Sequence, residues 1–331
     1  MANVIVFGNG FDIALGLRTK YADFVNSKRW PFISRNFKQE VCLQHYFLDY
    51  IQDNSDELDR VRWIDIEGLL LSYALERTKK NDFDTSLSDI DKEAYNVLCS
   101  SFNEYLKNDV EPCISKECKR NRYLNDLLTA VRESGTYSVG YTFNYTPTQD
   151  ILEKYFNLKL NITHLHGILS DTSNPPILGI SDNYVIAPCY KFLRKSWFDS
   201  YNFHDMNDAL YIADECIFYG VSFGKADFIY FENFFKDAIR KHEPGTKKKM
   251  INIFTYDETS RIQILEGFES VGISMSQLNS AIELRIHKTS EFDAQHPNSF
   301  DKCIQFLSHL SPNSENGIVG IENIIRKGFN R

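Results

Sequence analysis

The stretch "NVIVFGNGFDIALGL", residues 3–17, decides the fold. A β-branched, apolar run over 3–7 ends on glycine, which predicts a short buried strand. Gly8-Asn9-Gly10 follows at once, and then a helical pattern over 12–28, interrupted near 16–19. A strand that turns on glycines into a helix can bring backbone N–H groups and a helix N-terminus to a phosphate. In an open parallel sheet that turn lies where ligands bind, beyond the carboxyl ends of the strands. Two details complicate the reading. Position 13 is Ile, so G-x-G-x-x-G is incomplete, and Asp12 places a negative charge where an anion would not welcome it. The stretch is therefore either a ligand turn whose acid has a role of its own, or a tight turn in which Asp12 caps the helix.

The rest of the chain supports a parallel sheet. Strand signals return at 137–145, 161–165, 214–221, 249–255 and 282–287, with helical patterns at 225–241 and 258–269 between them. Strands alternating with helices predict an α/β fold, mostly parallel, with helices on both faces. From 36 to 132 the texture is helical throughout, as in "QEVCLQHYFLDYIQD", which predicts a large insertion of four or so helices within a single domain spanning 1–331. "SDTSNPP", 170–176, is the clearest turn-rich break.

The bulk composition narrows the function. The 331 residues carry a formal charge of −8, which argues against a general nucleic-acid surface. The seven cysteines are odd in number and lack Cys-x-x-Cys spacing, as expected of reduced thiols in a cytoplasmic protein without a zinc site. No signal peptide and no run approaching ~20 apolar residues is seen, so no membrane association is expected.

Four further motifs carry chemistry. In "YTFNYT", 141–146, Thr142, Asn144 and Thr146 alternate to one side if the strand persists, and an Asn at a strand end can hold a ribose hydroxyl or a water. In "THLHGIL", 163–169, His164 and His166 share a face if the strand persists; His166, beside a glycine, suits a general base, whereas His164 reads as a core histidine. In "YGVSFGKAD", 219–227, Gly220, Ser222 and Gly224 fit the nucleophile-elbow pattern G-x-S-x-G. Asp257 or Asp293, with His287, His296 or His309, could complete a triad; otherwise this is a second glycine-rich turn lining a nucleotide site. In "RWIDIEGLL", 62–70, Asp65 and Glu67 lie among apolar residues, so a carboxylate there could face a cleft.

Taken in order, "FGNGFDIALGLRTKYADF" (7–24), "WIDIE", "YTFNYT", "HLHG" and "YGVSFGKAD" resemble the AbiH-like abortive-infection family of bacteria. That family is in turn similar to sirtuin-like, Rossmann-like NAD-binding proteins. The resemblance implies NAD as substrate, with cleavage of its nicotinamide–ribose bond as an anti-phage activity. It implies Gly8 and Gly10 at the pyrophosphate, Gly220 and Ser222 beside the adenosine half, and Asn144 and His166 as catalytic residues; Asn9, Thr142 and Asp227 are further candidate binding residues, and Asp12, placed near the cation that develops on the ribose, is a third catalytic candidate. The deacylase zinc module of sirtuins is missing, so deacylation is not expected. A phage-derived trigger or partner defence protein and a homo-oligomer are implied as partners. A serine hydrolase using Ser222 and a non-catalytic nucleotide sensor are the competing functions.

Overall fold

The computed structural model describes residues 3–32, 42–53, 65–80, 85–116, 122–169, 171–198, 204–224, 228–243 and 245–292. Its elements run in this order: β1 (Asn3–Phe7), α1 (Asn9–Ala14), α2 (Tyr21–Val25), α3 (Leu43–Asp53), α4 (Ile66–Lys79), α5 (Thr85–Tyr105), a π-helical turn (Leu106–Val110), α6 (Glu111–Lys116) and α7 (Arg122–Ser134). Then follow β2 (Tyr137–Thr142), α8 (Thr148–Phe156), β3 (Asn161–His164), two 3-10 turns (Pro188–Leu193 and Lys195–Trp197), α9 (His204–Ile212) and β4 (Glu215–Tyr219). The last are α10 (Glu232–Lys241), β5 (Lys249–Thr255), α11 (Glu258–Ser270), α12 (Met275–Ala281) and β6 (Ile282–Lys288).

Among the described residues six strands pair in parallel, in the order β3-β2-β1-β4-β5-β6. This is the order of doubly wound nucleotide-binding sheets, and its direction reverses between β1 and β4. The reason for two covered faces is visible in β1, all of whose residues are buried. Ile5 and Phe7 enter one core with Phe11, α7 and α8. Val4 and Val6 enter the other with α9, α10, α11 and α12. A strand whose side chains alternate between two apolar layers needs hydrophobic residues at every position.

The helical block builds a core of its own, rich in aromatics: Phe24, Trp30, Phe32, Phe47, Tyr73, Phe102 and Tyr105 pack with residues drawn from 169–193. Two of its features depart from the sequence reading. Helix α7, inside the expected insertion, packs Leu124, Leu127, Leu128 and Val131 against the sheet. The crossing segment 177–193, well beyond the expected insertion, completes the helical core through Leu178, Ile180, Tyr190 and Leu193.

Candidate functional site

The carboxyl ends of β1 and β2 converge on a buried polar cluster. Asp12 is 1% exposed and Asn144 4%. The Asn144 amide donates from Nδ2 to Asp12 Oδ1 at 3.0 Å, and Thr146 Oγ1 donates to both carboxylate oxygens at 2.9 and 3.0 Å. Burial raises the Asp12 carboxyl to about 7, against the lowering effect of the Thr146 and Asn144 hydrogen bonds. The other side of the amide, Asn144 Oδ1, is buried without a hydrogen-bond partner among the described residues. An orphan acceptor inside a protein costs free energy unless something donates to it.

The local sequence explains how these groups meet. β2 ends at Thr142, so the alternation expected over 141–146 does not hold. Instead Phe143 N donates to Phe7 O, and the chain turns as Asn144 N donates to Thr142 Oγ1 at 3.1 Å. The Thr142 hydroxyl also bonds Thr148 Oγ1 at 3.2 Å, which ties the turn to the start of α8. Asn144 and Thr146 reach Asp12 from this turn. Asp12 is not the helix cap: Gly8 occupies the N-cap position of α1, and Asp12 lies inside the helix.

The glycines make close backbone contacts with the turn after β4. Gly8 N donates to Tyr219 O at 2.9 Å and Gly10 N to Gly220 O at 3.0 Å, so the two donors assigned to a pyrophosphate are engaged by the turn after β4. A Cβ on Gly8 would stand 2.5 Å from Gly220 O, and one on Gly10 would stand 2.5 Å from Gly220 Cα. Gly220 itself has φ +66°. The turns after β1 and β4 thus interlock backbone to backbone across the switch point. Asn9 also turns inward to the chain: its Oδ1 accepts from Thr19 Oγ1 at 2.5 Å and its Nδ2 donates to Thr19 O.

A second buried cluster adjoins the first. His166 is 5% exposed, and its ring packs 5.2 Å from Phe143 and 6.4 Å from Tyr145. Its Nε2 lies 3.3 Å from Lys195 Nζ. Lys195, 2% exposed, also donates to Glu67 Oε2 at 2.9 Å and Tyr230 Oη at 3.3 Å. Gly179 N donates to the other Glu67 oxygen. Burial, and then the Lys195 cation, hold the His166 imidazole well below its ordinary range. Both effects favour the neutral imidazole, with Nε2 facing the Lys195 ammonium. His166 also stands outside β3, so His164 and His166 do not share a strand face: His164 Nδ1 instead lies 3.2 Å from Asn144 O.

Glu67 joins this site from the first turn of α4, while Asp65 caps that helix by accepting from Gly68 N. Lys195 and Tyr230 are functional candidates that sequence reasoning missed. Neither stands in a motif, and only the tertiary fold brings them to His166. Trp63, Asp227, Asp293, His296 and His309 lie outside the described residues. The serine-hydrolase arrangement is not assembled by the described candidates. Ser222 Oγ accepts from Gly224 N, Asp257 caps α11, and His287 stacks on Phe254 and bonds Asn252.

The family description that matches is "Bacteriophage abortive infection AbiH", over residues 4–243. The chain belongs to the AbiH family. No curated protein matches this AbiH chain. A solved structure titled "Sir2-p53 peptide-NAD+" is similar over 88% of the AbiH chain and 90% of its own, with 11% identity and a TM-score of 0.35. Among the described residues of the AbiH chain, no group of His, Cys, Asp and Glu could hold a metal ion, and no helix is long and apolar enough to cross a membrane. A pocket lined by residues including Asn3, Thr136, Glu215 and Lys248 lies at the amino ends of the strands, opposite the polar clusters. It brings none of the carboxyl-end groups together.

Proposed function

We propose that this AbiH protein is an anti-phage NAD glycohydrolase, with Asp12 and Asn144 acting on the nicotinamide ribose. The observation that carries the reading is the buried pair itself: a carboxyl raised to about 7 beside an amide whose Oδ1 lacks a partner among the described residues. It sits at the strand ends where doubly wound sheets take their ligands. Asn144 Oδ1 would accept from a ribose hydroxyl or from the attacking water, while Nδ2 stays on Asp12.

In the reaction the C1′–N bond breaks and nicotinamide leaves with the bonding pair, which neutralises its pyridinium. Water forms the new C1′–O bond and releases a proton. Asp12, ionised above about pH 7, accepts that proton and faces the cationic ribose as it develops. With Gly8 and Gly10 N–H groups engaged, a pyrophosphate would have to be met by other groups at the strand ends. Asp12 is 1% exposed, so turnover requires the site to open. That fits an enzyme kept silent until a phage-derived trigger or partner defence protein acts.

The test is release of nicotinamide and ADP-ribose from NAD by purified protein, with and without phage lysate, beside Asp12→Asn and Asn144→Ala. Turnover by wild type, reduced about 10²-fold or more in Asp12→Asn, is expected. NAD and NADP left intact in both conditions overturn the reading. Tight binding of ADP-ribose without turnover would assign a sensor instead.

A further inference from the structure

Four chain segments meet at Lys195. Glu67 comes from the helical core, Tyr230 from the segment preceding α10, His166 from the end of β3, and Lys195 from a 3-10 turn. A lysine ammonium has three protons and no acceptor capacity. Among the described residues its neighbours include three acceptors: Glu67 Oε2 at 2.9 Å, Tyr230 Oη at 3.3 Å and His166 Nε2 at 3.3 Å. The carboxylate fixes where the ammonium sits, and Gly179 N in turn fixes the carboxylate. A proton on Nε2 would set an N–H against an ammonium, donor against donor. The ring therefore presents a lone pair at Nε2, and a neutral imidazole must then carry its proton on Nδ1.

We propose that the Glu67–Lys195 pair holds His166 as the Nδ1–H tautomer, so that His166 serves the site as a hydrogen-bond donor and not as a proton acceptor. Lys195 is then a positioning residue, acting through His166. The tautomer follows from the contacts alone; its catalytic consequence rests on the NAD glycohydrolase reading. The arrangement also divides the labour between the clusters. Proton acceptance stays with Asp12, whose carboxyl titrates near neutrality, and His166 supplies a fixed dipole that does not change charge during the reaction.

The experiment is 15N NMR of histidine-labelled protein, with the His166 signals assigned by their loss in His166→Gln. In wild type, a protonated Nδ1 and an unprotonated Nε2 are expected, with the ring neutral to well below its ordinary range. In Lys195→Met the Nε2–H tautomer should appear, whereas Lys195→Arg, which keeps a cationic donor, should preserve the wild-type signature. In NAD turnover, Lys195→Met should lower kcat by about 10²-fold with a smaller change in KM. A wild-type ring protonated on Nε2, or an unchanged signature in folded Lys195→Met, overturns the proposal. Should Lys195→Met not fold, the wild-type spectrum decides alone. A protein with the expected signature but no turnover removes the glycohydrolase reading and leaves the tautomer assignment standing.

Discussion

Asp12 shows what a single buried acid does to a protein's response to pH. Its folded carboxyl sits near 7 and its ordinary value is 3.8, so folding favours the protonated form. The stability it contributes is fully present below about pH 4 and is lost as pH rises to about 7. The loss amounts to about 4 kcal/mol at most. Asp12→Asn keeps the neutral shape and should flatten this slope. Urea unfolding at pH 5 and pH 8 should give a wild type weaker at the higher pH and a variant nearly equal at both. Activity should run the other way in wild type, rising between pH 6 and 8 as the base ionises. At this scale the sequence was legible in part. Asp12, Asn144 and Thr146 sit in strand-end motifs, where polar residues interrupt apolar runs. Lys195 stands in "FLRKSW", beside another cation and among aromatics, with no period or spacing to separate it from a solvated lysine.

Two elements are held by contacts that sequence pattern only half reveals. The glycines after β1 and β4 were visible as turns, but their mutual contact needed the strand order that places β1 beside β4. Gly10→Ala should cost about 3 kcal/mol in chemical denaturation, because its Cβ meets backbone that cannot step aside. In the helical core, Asp91 is fully buried and accepts from Leu43 N at 2.7 Å, Tyr73 Oη at 2.7 Å and Tyr190 Oη at 2.8 Å. It thereby joins α3, α4, α5 and the first 3-10 turn. Asp91→Ala strands these donors and should lower stability by about 3 kcal/mol or more in thermal melts. Nothing in the local run "LSDIDKEAY" distinguishes this acid from Asp89, since both fit a polar helix face.

For the molecule as a whole, the strands were readable because a sheet buried on both faces demands continuous β-branched and apolar runs. Their order was not. Which strands become neighbours is decided by chain crossings of many residues, and each parallel run looks much like another. The same distance hid the extent of the helical core, which recruits residues 169–193 from beyond β3. Local and distant contacts should therefore form at different times. In refolding followed by pulsed hydrogen exchange, amides of α4 and α5 should gain protection before those of β1.

β1 has a further consequence, for synthesis. It is made before both of its partners, which begin at residues 137 and 215. Until the second of these emerges, one edge of the central strand has nothing to pair with, and the interlock between the turns after β1 and β4 cannot close. A product cut short before that point carries Asp12, Asn144 and His166 and still lacks the frame that sets them. The assembled site therefore forms only after β4 has been made, long after Asp12 itself.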